Sequence, residues 1–443
     1  MTLFVKCLIV IVNIGLFTLA FANASGSLGL KKLNLYSISY YYMLIFCMIG
    51  GSIIFLGFKN QYLIQKVTEE KTITETYFAL SYSLIALPIC ISWFNSFLGV
   101  KNYRSFYYEY ISKEVDCSEY RDIIFGFCCG FTLIGLAALI YTFVCFGGIP
   151  LVDALLNGYS DAARISISHN FSGNQYVKNI LAMAMIPILS YIAYIYFKAT
   201  KEKKWKLLFI FLFALSIVCK TYDLEKAPVV FYICYFYLID CMMGNIKNLK
   251  KAVAIVLFAV VFILLVYTLI GNNVVISLSS GPLSRLLITQ IATLFLHVQS
   301  FPKLHPFLNG ASFPAILGGQ GMRSGRVVMG IYYADRIANG TAGVMNSLFV
   351  GEAYANFGWI GVIIAPIAVG FVISTIPTIV LKQRKDPINM AIYVLLSYNY
   401  ATALIGGYVD FFYNAGAIIV IGVLVMFKVI SRKGILIISR IDS

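Results

Sequence analysis

Charged side chains are scarce in this chain, so each one outside an apolar run is a candidate for chemistry. Nine basic residues fall in or beside segments that read as external: Arg164, Lys178, Lys220, Lys226, Arg285, Lys303, Arg323, Arg326 and Arg336. A guanidinium presents a planar fork that grips phosphate oxygens in pairs, so the group as a whole points to an anion. Arg164 follows Asp161-Ala162-Ala163, beyond the turn Gly147-Gly148-Ile149-Pro150 at the exit of an apolar run. Lys226 stands in Tyr222-Asp223-Leu224-Glu225-Lys226-Ala227-Pro228. Pro228 suits the first turn of a helix, which puts Lys226 at a helix N-terminus where the dipole also favours anions. Local pairing with Asp223 or Glu225 is the competing reading. Gly318-Gly319-Gln320-Gly321-Met322-Arg323-Ser324-Gly325-Arg326 is a glycine-rich loop whose backbone N–H groups could form an anion nest. It lacks the Lys-Ser/Thr of a nucleotide loop.

The acidic candidates are fewer. Glu352 opens an apolar run in Gly351-Glu352-Ala353-Tyr354-Ala355-Asn356-Phe357-Gly358-Trp359-Ile360-Gly361. A carboxylate is costly in lipid, so it should face a cavity or a cation. Glu352 is therefore either a general base or the group that orients an arginine such as Arg164 or Arg285. Asp410, in Gly406-Gly407-Tyr408-Val409-Asp410, is a second external carboxylate, whereas Asp240 reads as a helix-packing contact. His297 lies on the segment 282–299, three turns after Arg285, where it either relays protons or is a satisfied interfacial residue. No His-x-x-x-His or acidic pair marks a metal site, and no cofactor is expected.

The elements that must hold these groups follow from composition. The 443 residues are 60% hydrophobic and 12% charged, with a mean hydropathy of +0.85. Soluble domains run near 45–50% apolar and about 25% charged, so a soluble enzyme, a disordered chain and a fibrous protein are excluded. The net charge of +15 does not argue for nucleic acid, because cytoplasmic loops of membrane proteins collect Lys and Arg. The ten cysteines have no CxxC pair and lie mostly in apolar runs, so they read as small packing residues.

The chain reads as an all-α polytopic membrane protein. Eleven apolar runs are long enough, or nearly so, to span: 2–22, 38–57, 77–98, 123–146, 177–197, 205–220, 227–243, 252–270, 353–381, 388–405 and 412–430. The organisation is thus eight spans over 1–270, an external loop subdomain over 271–351, and three spans with a cytoplasmic tail over 352–443. The first run resembles a signal peptide ending in Ala22-Asn23-Ala24. Its positive region is only Lys6, so an uncleaved span is expected. Placing the basic linker 198–206 inside puts 21 of the 34 basic residues in cytoplasmic segments. In the external loop, Leu286, Leu287, Ile291, Leu294, Phe295 and Val298 recur at helical spacing, which predicts a helix over 282–299. It either lies on the membrane surface or dips into a cavity.

Four features together resemble the Wzy-type O-antigen, or oligosaccharide repeat-unit, polymerases, including those of enterobacterial common antigen. They are Gly147-Gly148-Ile149-Pro150-Leu151 leading to Arg164, the turn Glu225-Lys226-Ala227-Pro228, the long external loop after the eighth span, and the closing motif Val350 to Gly361. The resemblance implies a GT-C-type membrane glycosyltransferase working at the periplasmic face of the bacterial inner membrane. It would transfer a growing glycan from undecaprenyl diphosphate to the sugar of a new undecaprenyl-diphosphate-linked unit. A chain-length regulator is an optional partner of that family. The family's basic positions fall on Arg164 and Lys226, with Arg285; the R-x10-G spacing of paired loop arginines is absent. On this reading Glu352, Arg285 and His297 are the catalytic candidates. Arg164, Lys226, Arg323, Arg326 and Tyr333 bind substrate, and Tyr332 and Tyr333 could stack on sugars. The alternatives are an O-antigen ligase, which shares the chemistry, and a lipid-linked oligosaccharide flippase.

Overall fold

The structure is a computed structural model. It describes residues 1–117, 121–150, 152, 171–224, 227–246, 250, 277–339, 342–343 and 345–441. Their regular secondary structure is helical, with no strand among them. Eight helices are long and apolar enough to cross a membrane: Leu3–Lys32, Leu35–Phe55, Glu70–Phe97, Arg121–Phe146, Val177–Thr200, Leu348–Leu381, Pro387–Gly406 and Val409–Met426. In lipid each must satisfy its own backbone hydrogen bonds, which leaves the helix as the open choice for such runs. The runs 205–220 and 227–243 also fold as helices, Lys203–Lys220 and Ala227–Met242. The first carries four lysines and the second has 16 residues, so neither matches the other eight as a span. The run 252–270 lies outside the described residues.

The chain divides into two compact units that are interleaved in sequence. One comprises Met1–Tyr108, Asn273–Ile379 and Asn399–Asn414; the other comprises Glu109–Asn272, Val380–Tyr398 and Ala415–Ser443. The loop region after residue 273 therefore folds together with the first three spans.

In the first unit the expected helix over 282–299 exists, as Gly281–Ser284 continuing through a π turn, Arg285–Thr289, into Gln290–Ser300. It does not lie on a surface. Every residue from Ile291 to Ser300 is buried. Close approach explains this: a Cβ on Gly50 would overlap the Leu287 carbonyl, so Gly50 lets the π-turn backbone pack directly on the second span. A second short helix is equally enclosed. The helix Leu348–Leu381 breaks at Gly358, whose φ is 60° and ψ −145°. The half before the break is sealed from Leu348 to Asn356, while Trp359, Ile360, Ile363 and Ile364 beyond it are exposed, as a lipid-facing span requires. The buried halves meet where Gly351 faces Leu294 and His297.

In the second unit the helices Met185–Thr200 and Lys203–Lys220 form a pair joined through Lys201 in the left-handed region, φ 58°. Tyr196 stacks on Trp205 at 4.1 Å. Asp240 accepts a hydrogen bond from Tyr194 at 2.9 Å and sits 3.6 Å from Lys198, the helix-packing role expected of it.

Candidate functional site

The first unit gathers two carboxylates on one guanidinium. Arg323 donates from Nε to Glu352 Oε1 at 2.9 Å, from Nη2 to Glu352 Oε2 at 3.4 Å, and from Nη1 to Asp410 Oδ1 at 2.8 Å. Glu352 Oε2 also accepts from the Val409 N–H at 3.0 Å. The three side chains differ in access. Glu352 is 0% exposed, Asp410 27% and Arg323 32%. The cluster carries one positive and two negative formal charges, so Arg323 is neutralised within the protein.

Local structure dictates this arrangement. The break at Gly358 frees the last carbonyls of the preceding half-helix, and the loop after Ser300 caps them: Leu308 N–H donates to Ala355 O and Asn309 N–H to Asn356 O. The Asn356 side chain ties the same loop down. Its Nδ2 donates to Glu352 O and to Ser312 Oγ, and its Oδ1 accepts from Gly310 N–H. Ser312 Oγ in turn donates to Met322 O, one residue before Arg323. On the other side, Ser347 N–H and Oγ both donate to Gly406 O. Gly407 then passes so close that a Cβ there would overlap both Glu352 Oε2 and Arg323 Nη2.

Burial opposes the charge on Arg323. The hydrogen bond to Asp410 and the attraction of Glu352 and Asp410 outweigh it, so the guanidinium holds its proton above its ordinary value. Two carboxylates on one cation, one sealed and one open, can hold a rigid acceptor geometry and present one carboxylate to an incoming hydroxyl.

No family model, no curated protein and no solved structure matches the chain.

The remaining candidates are dispersed. Glu352 pairs with an arginine, Arg323, and not with Arg285. Arg285 lies exposed in the π turn and Arg326 lies exposed in the helix Ser324–Tyr332; neither forms an ion pair among the described residues. His297 is 0% exposed, and its Nδ1 lies 2.7 Å from Thr293 O, which can only accept, so Nδ1 carries the hydrogen. Its Nε2 has no hydrogen-bond partner, and burial pushes its pKa down to about 4. Tyr333 is half-buried, with Lys66 Nζ 4.7 Å and the Arg336 guanidinium 5.0 Å from its ring. The Tyr332 hydroxyl accepts from Gln299 Nε2 at 2.8 Å and is tied into the end of the buried helix. Arg164 and Lys226 lie outside the described residues. Sequence reasoning did not foresee Gly407 and the Val409 N–H; the pair Gly406-Gly407 before an isolated Asp410 is the signal that marks them.

Proposed function

We propose that the chain is a membrane glycosyltransferase of the repeat-unit polymerase type. Its donor is a glycan on undecaprenyl diphosphate, and its acceptor is the terminal sugar of another lipid-linked unit, at the periplasmic face of the inner membrane. The observation that carries this reading is the Arg323–Glu352–Asp410 cluster, whose Glu352 lies in the Val350 to Gly361 motif that bears the family resemblance. In the step proposed, the acceptor hydroxyl oxygen attacks the anomeric carbon. The bond from that carbon to the diphosphate oxygen breaks and its electron pair leaves with the diphosphate. The hydroxyl proton passes to the accessible carboxylate of Asp410. Glu352 and Arg323 are positioning residues for that carboxylate. Arg285 and Arg326, exposed and without ion pairs among the described residues, are candidates to stabilise the departing diphosphate, together with Arg164 and Lys226.

The test is reconstitution. The purified full chain in liposomes with an undecaprenyl-diphosphate-linked oligosaccharide should give a ladder spaced by one repeat unit. Transfer of one glycan to a lipid A-core acceptor without a ladder would mean the ligase instead. A folded protein that produces neither product ends the glycosyltransferase reading. Cysteine labelling addresses the side: positions 319 and 173 should react from outside, and positions 203 and 385 from inside.

A further inference from the structure

Lys178 is a cation in an unexpected setting. It lies in a π turn, Val177–Ala182, at the start of the helix that runs to Thr200, and it is 8% exposed. Its Nζ sits 4.7 Å from the Phe171 ring centroid and 5.3 Å from that of Tyr222. Among the described residues no carboxylate lies within ion-pair distance of it. Two cation–π contacts offset only part of the cost of taking an ion out of water. An ammonium held this way is under-compensated.

The second observation concerns Tyr222. Its hydroxyl is buried and has no hydrogen-bond partner. The ring is fixed by Phe143 at 6.4 Å and Phe146 at 6.0 Å, at the end of the helix Arg121–Phe146. The segment carrying Phe171 is fastened to the same helix end: Ser172 Oγ donates to Cys145 O, and Asn174 N–H donates to the Tyr141 hydroxyl. An ammonium over the Tyr222 ring, with no carboxylate partner among the described residues, and the unpartnered Tyr222 hydroxyl are thus both held against the end of the helix Arg121–Phe146.

We propose that Lys178 and Tyr222 form a phosphate-binding site in the second unit, one that takes the phosphate of a lipid headgroup or of a lipid-linked diphosphate. A phosphate supplies negative charge for an ammonium that meets no carboxylate among the described residues, and its oxygens supply an acceptor for the phenol. The site stands independently of the polymerase reading, since any phosphate at the membrane surface meets its chemistry.

The experiment is binding, not turnover. The full chain in phosphatidylcholine nanodiscs is titrated with farnesyl diphosphate and with inorganic pyrophosphate, with and without phosphatidylglycerol in the disc. Farnesyl diphosphate should bind, K178M should weaken it roughly tenfold or more, K178R should keep most of it, and Y222F should weaken it several-fold. Competition by phosphatidylglycerol assigns the site to phospholipid headgroups; its absence assigns the site to lipid-linked diphosphates. If the wild type binds neither diphosphate nor phosphatidylglycerol, or K178M binds as well as the wild type, the proposal is overturned. Should K178M not assemble, Y222F decides: unchanged affinity in a folded Y222F protein overturns it as well.

Discussion

Arg323 and Lys178 are both cations drawn out of solvent, and the molecule treats them oppositely. Arg323 meets two carboxylates through three hydrogen bonds. Lys178 meets two aromatic faces and no carboxylate among the described residues. In the first region the cation holds acidic groups in place, so its own charge is unavailable to a substrate anion. In the second, the charge is left uncancelled. Arginines outside the apolar runs of a membrane protein therefore do not all point to anion binding. The count of basic residues says how many cations there are, and their acidic neighbours say which remain available.

The largest effect should come from breaking the compensated region. Arg323→Ala leaves the sealed Glu352 carboxyl without its cation, and losing one partner of a buried pair typically costs about 3–5 kcal/mol. Thermal melting in detergent should show a marked drop. Lys178→Met, which removes an under-compensated charge from apolar surroundings, should leave the melting temperature unchanged or higher. If the two variants melted alike, the contrast between the regions would be lost.

Gly407→Ala should follow in size. The added methyl overlaps Glu352 Oε2 and Arg323 Nη2 and must push the pair apart, with a cost of about 1–3 kcal/mol for overpacking. Gly57, where a Cβ would meet nothing within 4 Å but φ is +115°, separates backbone strain from overlap: Gly57→Ala tests strain alone. A melting temperature untouched by Gly407→Ala would mean that the carboxylate and guanidinium are not held where they stand.

Next come the two carboxylates, compared by activity. Asp410→Asn removes the accessible base and should lower the polymerisation rate by about 10²-fold or more, while melting changes little. Glu352→Gln keeps the size, and its single oxygen can still accept from the Val409 N–H and Arg323 Nη2 while the bond from Nε is lost, so part of the activity should survive. The reverse order, with Glu352→Gln inactive and Asp410→Asn near wild type, would move the proton acceptor to the buried residue.

Much of the helical framework was readable from apolar runs, because a span of about 20 residues announces itself by composition. The wedge of glutamate into Leu348–Leu381 was readable as well: a carboxylate in that setting needs a cation. Which cation was not, since Arg323 and Asp410 reach Glu352 from 29 residues before it and 58 after it, and no local pattern encodes such a meeting. Sequence reading left the helix over 282–299 between the membrane surface and a cavity for a related reason. Its polar residues, Thr293, His297, Gln299 and Ser300, suit either setting, and in the fold their polar atoms are largely satisfied by nearby partners: Gln299 Nε2 reaches Lys66 O and the Tyr332 hydroxyl, Ser300 Oγ reaches Leu296 O, and Thr293 Oγ1 reaches Gln290 O. Hydrophobic periodicity cannot distinguish a polar face turned to water from one satisfied inside.

His297 offers the smallest and most specific test, because it is a third way to keep a titratable group out of water: neutral. Its Nδ1 hydrogen goes to Thr293 O, and its Nε2 is bare and enclosed. Protonation would place a charge where no acceptor stands, which is why burial takes the pKa from an ordinary 6.5 to about 4. The sign follows. The unfolded chain takes up the proton near pH 6.5 and the folded one only near 4, so the contribution of the neutral ring is complete above about pH 6.5. It is lost as pH falls toward 4, with a slope of at most about 1.4 kcal/mol per pH unit. Against His297→Gln, which does not titrate, the wild type should therefore lose relative melting temperature between pH 7 and pH 5 and show no relative change between pH 7 and pH 8.5. A difference between the two proteins that stayed constant down to pH 5 would mean that His297 is charged or solvated in the folded state. In that event it would join Lys178 among the under-compensated cations, leaving the Arg323 cluster as the compensated exception.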